Sequence, residues 1–139
     1  QQSSLTDEQK ALVAKTTLQV FTNMAACHMK LEQFEKVVDD CSKALGLDAK
    51  NAKAYFRRGQ ARLRLRDLER AEADLRQAQA LEPSDAAVAA ELTRLRAAQA
   101  AADADEKRRF GGFLSRAIGP PAPAAPPAEP PTLRTDGAL

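Results

Sequence analysis

The chain has 139 residues, 44% of them hydrophobic and 29% charged, with 21 lysines and arginines against 19 acids. A net charge of +2 is too small to mark a nucleic-acid binder, and no run of eighteen apolar residues is present to cross a membrane. The length fits one domain with a modest core, and with no Trp and a single Tyr that core must be aliphatic. The chain opens on Gln1, so a longer parent protein is expected. Cys27 and Cys41 fall at apolar-facing helical positions and read as packed thiols of a reducing compartment.

Thr6-Asp7-Glu8-Gln9 has the form of a capping box and starts the first predicted helix, whose apolar residues include Ala11, Leu12, Leu18, Phe21, Ala25 and Met29. A break near Glu32-Gln33 leads to a second helix through Phe34, Val37, Val38, Cys41, Ala44 and Leu45, which Gly46 and the Asp48–Asn51 turn should end. The third helix is expected from Ala52 to Leu65. The fourth runs from Leu68 to Leu81 and is closed by Glu82-Pro83. Ser84 and Asp85 can cap a fifth, carrying Val88, Leu92 and Leu95. At Gly119 the composition changes: seven of the eight prolines lie between Pro120 and Pro131, which predicts an extended, disordered tail.

Sliding the chain against itself by 34 residues pairs Phe21 with Tyr55, Leu31 with Leu65, Glu35 with Glu69, Asp40 with Asp74, Ala44 with Ala78 and Leu47 with Leu81. A helix-turn-helix unit of that period is the tetratricopeptide (TPR) spacing. With Leu18 and Ala52 as first positions, the small residues Ala25 and Gly59 fall at position 8, and Ala44 and Ala78 at position 27. Val37 at position 20 and Ala49 at position 32 depart from the pattern. The expected fold is all-α: a right-handed TPR superhelix of antiparallel helix pairs with a C-terminal capping helix. The boundaries read as a loop at 1–5, a domain of two repeats and a long terminal helix at 6–118, and the tail at 119–139.

One helical hairpin cannot bury its own apolar stripe, so repeats stack and the first helix of each pair lines a common groove. Positions 2, 6, 9 and 13 share one side of those helices: Gln19, Asn23, Ala26 and Lys30, then Lys53, Arg57, Gln60 and Arg64. Those long donor side chains make a polar, basic wall suited to an acidic, extended peptide, and seven arginines (Arg57, Arg58, Arg62, Arg64, Arg66, Arg70 and Arg76) fall within twenty residues around it.

The stretches Thr22-Asn23-Met24-Ala25-Ala26-Cys27-His28-Met29-Lys30-Leu31 and Lys53-Ala54-Tyr55-Phe56-Arg57-Arg58-Gly59-Gln60-Ala61 resemble the TPR domains of co-chaperone immunophilins. Those are the multidomain FKBP-type peptidyl-prolyl isomerases and the large cyclophilins, and the resemblance covers roughly residues 3–118. It implies capture of the acidic carboxyl terminus of ninety- and seventy-kilodalton heat-shock chaperones by a carboxylate clamp. Asn23, Lys53 and Arg57 match three of five clamp positions, and the other two belong to a repeat that would precede them. Binding by this chain alone is therefore expected to be weak. Lys30, Gln60 and Arg64 would extend the groove toward acids upstream in the peptide. The resemblance also implies a cytoplasmic location, with the nucleus as a second, and a parent that is a prolyl isomerase, while this chain itself is not an enzyme.

His28, the only histidine, is expected to pack against the partner helix, and with two cysteines it makes no credible metal set or catalytic triad. No cofactor is expected. The segment with Lys107, Arg108, Arg109, Phe110, Phe113 and Leu114 is basic and amphipathic, and reads either as a capping helix or as a calmodulin-binding segment, the family being known for the latter. A structural scaffold for an unrelated protein partner is the alternative function, since repeat folds serve many partners. Nucleic acid is disfavoured by the interleaved acids Asp67, Glu69, Glu72 and Asp74 and by the lack of stacking aromatics.

Overall fold

The computed structural model describes residues 4–119. Five helices follow one another, α1 (Asp7–Lys30), α2 (Phe34–Leu47), α3 (Ala52–Arg64), α4 (Leu68–Leu81) and α5 (Ala86–Ile118), with no strand among the described residues. The chain divides into two compact units, Gln1–Ala102 and Asp103–Leu139. Residues 120–139 of the expected tail and residues 1–3 of the expected loop lie outside the described residues.

Every helix except α2 starts where a side chain can take the orphan amides of its first turn. Thr6 and Gln9 form the capping box in both directions, Gln9 N donating to Thr6 Oγ1 at 3.2 Å and Thr6 N to Gln9 Oε1 at 3.0 Å. Asn51 Oδ1 accepts from Ala54 N at 3.1 Å at the head of α3, and Asp85 Oδ1 accepts from Ala87 N at 2.9 Å at the head of α5. The helices of each pair are joined by the same turn. Glu32 after α1 and Arg66 after α3, 34 positions apart, both take positive φ (58° and 65°). In each turn the next amide reaches back to close the helix, Gln33 N to His28 O and Asp67 N to Arg62 O, both at 2.9 Å. That is the Schellman bond pattern, here built without glycine.

Two aliphatic clusters result. The first joins Ala25, Val37, Cys41 and Ala44 with Ala54 and Ala61 of α3. The second joins Leu63 of α3 with Ala71, Leu75 and Ala78 of α4 and Val88, Leu92 and Leu95 of α5. Gly59 marks the closest approach within the second pair, since a Cβ there would sit 2.8 Å from Leu75 Cγ.

Several expectations need correction. Gly46 does not end α2, which runs on to Leu47. Cys27 is exposed, unlike the buried Cys41. The apolar cover over α4 comes from Val88, Leu92 and Leu95. In the second unit Phe110, Phe113 and Ile118 are 61%, 59% and 78% exposed, alongside Leu114 at 37%. Its described ion pair of normal length is local, Arg109 Nη2 to Asp105 Oδ2 at 2.9 Å.

Candidate peptide-binding groove

α3 stands between α1 and α5, and two side-chain hydrogen bonds tie the row together. Arg57 Nη1 donates to the Thr22 carbonyl of α1 at 2.9 Å. Gln60 Nε2 donates to Glu91 Oε1 of α5, also at 2.9 Å. The predicted wall residues divide accordingly: Asn23, Lys30, Lys53 and Arg64 are exposed, whereas Arg57 and Gln60 are half-buried. Arg57 thus has one guanidinium nitrogen fixed by backbone and the rest of its donor fork unspent. A guanidinium held this way loses less rotamer freedom when a carboxylate arrives.

Arg58 and Arg62, which the register leaves off the wall, turn to Asp74 of α4, which is 3% exposed. Arg58 donates from Nε (2.9 Å) and Nη2 (2.7 Å), and Arg62 from Nη1 (2.7 Å). One repeat earlier, the register-equivalent Asp40 is buried as well, and His28, the counterpart of Arg62, places Nδ1 2.5 Å from its Oδ2. The histidine packs against the partner helix through this polar contact. Position 23 of each repeat is therefore a buried carboxylate held by the neighbouring helix, and these groups have structural work.

Sequence reasoning stopped the wall at α3. Carrying the 34-residue register one step further places Ala87, Glu91, Arg94 and Ala98 of α5 on it. Glu91 is only 2% exposed, and its Oε1 receives both Gln60 and Arg94 Nη1 while Oε2 has no partner among the described residues. Next to it a pocket of about 350 Å³ is lined by Leu63, Arg64, Arg66, Arg94 and Ala98. Among the described residues no group of three or more His, Cys, Asp or Glu is arranged to hold a metal, and no helix is long and apolar enough to cross a membrane.

The family description "Tetratricopeptide repeat" matches residues 52–85, the second of the two units set out by the 34-residue register. The first TPR domain of the human RPAP3 protein, solved by NMR, is 34% identical with a TM-score of 0.59, the match covering 61% of this chain and 67% of that domain. The chain belongs to the tetratricopeptide-repeat family. Peptidyl-prolyl cis-trans isomerase FKBP4 of Bos taurus is 40% identical over 91 residues, which is 66% of this chain and 20% of that protein. Across such relatives the chain spans a fifth to a quarter of their length, and it corresponds to their TPR region and not to the catalytic domain, so it is a non-enzymatic module.

Two further solved TPR domains hold peptides. The first TPR of Spaghetti (RPAP3), bound to the HSP90 peptide SRMEEVD, is 35% identical with a TM-score of 0.58, covering 60% of this chain and 66% of that one. The second TPR domain of human RPAP3, in complex with the HSP70 peptide SGPTIEEVD, is 32% identical with a TM-score of 0.55, covering 57% and 66%.

Proposed function

We propose that this chain is the peptide-capturing module of a co-chaperone, taking the acidic C-terminal peptide of an Hsp90- or Hsp70-type chaperone into the groove of α1, α3 and α5. Asn23, Lys53 and Arg57 hold the terminal carboxylates, and Lys30 and Arg64 attract acids further upstream. The observation that carries this reading is Arg57: half-buried, oriented by the Thr22 carbonyl, and one helical turn from the exposed Lys53. A C-terminal Asp presents two carboxylates, and a fixed guanidinium beside a mobile ammonium matches them. The similarity to TPR domains solved with Hsp90 and Hsp70 peptides supports it. The parent protein is then a cytoplasmic peptidyl-prolyl isomerase whose folding activity this module delivers to the chaperone.

Calorimetric titration with Met-Glu-Glu-Val-Asp as free acid and as C-terminal amide tests the clamp. The free acid should bind and the amide should not. Because each charge-assisted hydrogen bond contributes about 1.5–3 kcal/mol, Lys53→Ala with Arg57→Ala should weaken the free acid by at least about tenfold. Equal binding of acid and amide would move the chain to the scaffold reading. The exposed Phe110 and Phe113 beside Lys107, Arg108 and Arg109 favour calmodulin as a second partner; calcium-dependent co-elution that the Phe110→Asp change removes would support it, and co-elution insensitive to calcium would not.

A further inference from the structure

We propose that the pocket between α3 and α5, walled by Arg64 and Arg94, is the subsite for one acidic side chain of the captured peptide, three residues before its C-terminus. The proposal rests on the peptide-capture reading and assigns it a specificity element.

Charge comes first. Three guanidinium-bearing residues line the pocket over the apolar Leu63 and Ala98, with no acid among the lining residues. Other surface depressions of this unit differ, since Glu32 and Glu35 line one of them and Glu35, Asp39 and Asp67 another. Glu91 offsets Arg94 alone, with their ion pair at 2.5 Å. Arg64 and Arg66 have no ion-pair partner among the described residues, so the pocket keeps positive charge. Arg94 is held through Nη1 by the buried Glu91 yet leaves 61% of its side chain exposed, and its remaining N–H groups are available to an incoming carboxylate. The volume, about 350 Å³, exceeds by far the ~30 Å³ share of a single water, so a side chain fits.

Reach fixes which side chain. Arg57 and Arg64 are seven residues apart on α3, roughly 10 Å at about 1.5 Å per residue. An extended peptide advances about 3.3 Å per residue, so a chain anchored by its last residue at Arg57 places its third preceding residue at the pocket. In the SRMEEVD peptide that residue is a glutamate. The other glutamate, two residues before the end, advances only about 6.6 Å from the terminal residue and stops short of the pocket.

The test uses the full chain and three free-acid peptides: Met-Glu-Glu-Val-Asp, a form with Gln replacing the glutamate three residues before the end, and a form with Gln replacing the other. Proteins are the native chain, Arg64→Gln, and Arg94→Gln combined with Glu91→Gln so that no buried carboxylate is stranded. Arg64 is exposed and unpaired, so its variant should keep the helical circular dichroism of the native chain. Against the native chain, the first Gln peptide should bind about threefold to tenfold more weakly than the parent peptide. Against Arg64→Gln that penalty should vanish, while the penalty for the second Gln peptide should be the same in both proteins. An unchanged penalty for the first peptide in both variants overturns the subsite and leaves the clamp standing. Failure of the native chain to bind any free acid overturns the clamp and the subsite together.

Discussion

At position 8 the two repeats solve one packing problem with complementary volumes. In the second repeat Gly59 faces Leu75, and an added Cβ would lie 2.8 Å from Leu75 Cγ and 3.2 Å from Asp74 Cβ. In the first repeat the register partner of Leu75 is Cys41, a smaller side chain, and Ala25 is accommodated with 0% exposure. Gly59→Ala gains about 1 kcal/mol of helix propensity but forces a packed core to move, which costs about 1–3 kcal/mol. The expected net result is a lowered thermal midpoint, and adding Leu75→Cys should bring Gly59→Ala closer to its own Leu75→Cys background. Cys41 gives a second outcome. Burial pushes its thiol from the ordinary 9.0 up to about 11, against the lowering pull of Arg57 and Arg58. The folded chain therefore holds this proton after the unfolded chain has released it. Stability from Cys41 is fully present below pH 9 and falls by about 1.4 kcal/mol per unit between pH 9 and about 11. Chemical denaturation at pH 8 and 10 should show that loss, and Cys41→Ala should remove it. Iodoacetamide at pH 8 should label the exposed Cys27 and spare Cys41 until the chain unfolds.

At the scale of elements, caps, periods and turns were legible because each is a local signal. Thr6 and Asp85 announce helix starts in their own side-chain chemistry, and α4 was bounded by Leu68 and Leu81 in sequence as in structure. What failed was Gly46 read as a stop. It has no neighbour near a Cβ position and stays helical, since a helix tolerates the cost of about 1 kcal/mol that glycine imposes. The exposure of Cys27 was missed because helix periodicity marks a face without saying whether anything covers it. Positions 3, 7 and 10 make the point: Val88, Leu92 and Leu95 pack on α4, and Ala54 and Ala61 pack in the α2 cluster. The same positions of α1 are Val20 and Met24, at 49% and 40% exposure, and the exposed Cys27. α1 and α3 end instead on left-handed residues that are not glycine, Glu32 and Arg66, while Gly119 follows α5 at φ 82°. An L-residue in that region costs about 1–2 kcal/mol, so Glu32→Gly, at φ 58°, should raise stability by about 0.5–1 kcal/mol after the entropy glycine adds to the unfolded chain. A thermal midpoint equal to or below that of the native chain would contradict this account of the turn.

Across the whole repeat unit, the basic groove was legible as a row of positions but not as a field of charge. The register placed Asn23, Lys30, Lys53, Arg57, Gln60 and Arg64 on one row, and a continued register would have added Arg94. That Arg58 and Arg62 are spent on Asp74 depends on α4 approaching α3, a tertiary fact that charge counting cannot supply. The same helix couples the two cores: α3 gives Ala54 and Ala61 to one and Leu63 to the other. In a stack of repeats, stability is a sum of unit and nearest-neighbour terms, and with so few units the loss of either core removes one wall of the other. The chain carries its own probe of this coupling, because Tyr55, its single tyrosine, packs against the second cluster alone. Far-ultraviolet circular dichroism reports all helices, whereas tyrosine fluorescence reports that cluster. The two should trace one denaturant transition, apart from a sloping baseline from the exposed 103–118 segment. Leu75→Ala, which empties the second core at a cost of about 2–5 kcal/mol, should shift both curves by the same midpoint. If the fluorescence transition moved and the helical signal of the α1–α2 pair persisted, the repeats would be energetically separate, and α3 would be a shared surface without being a coupling element.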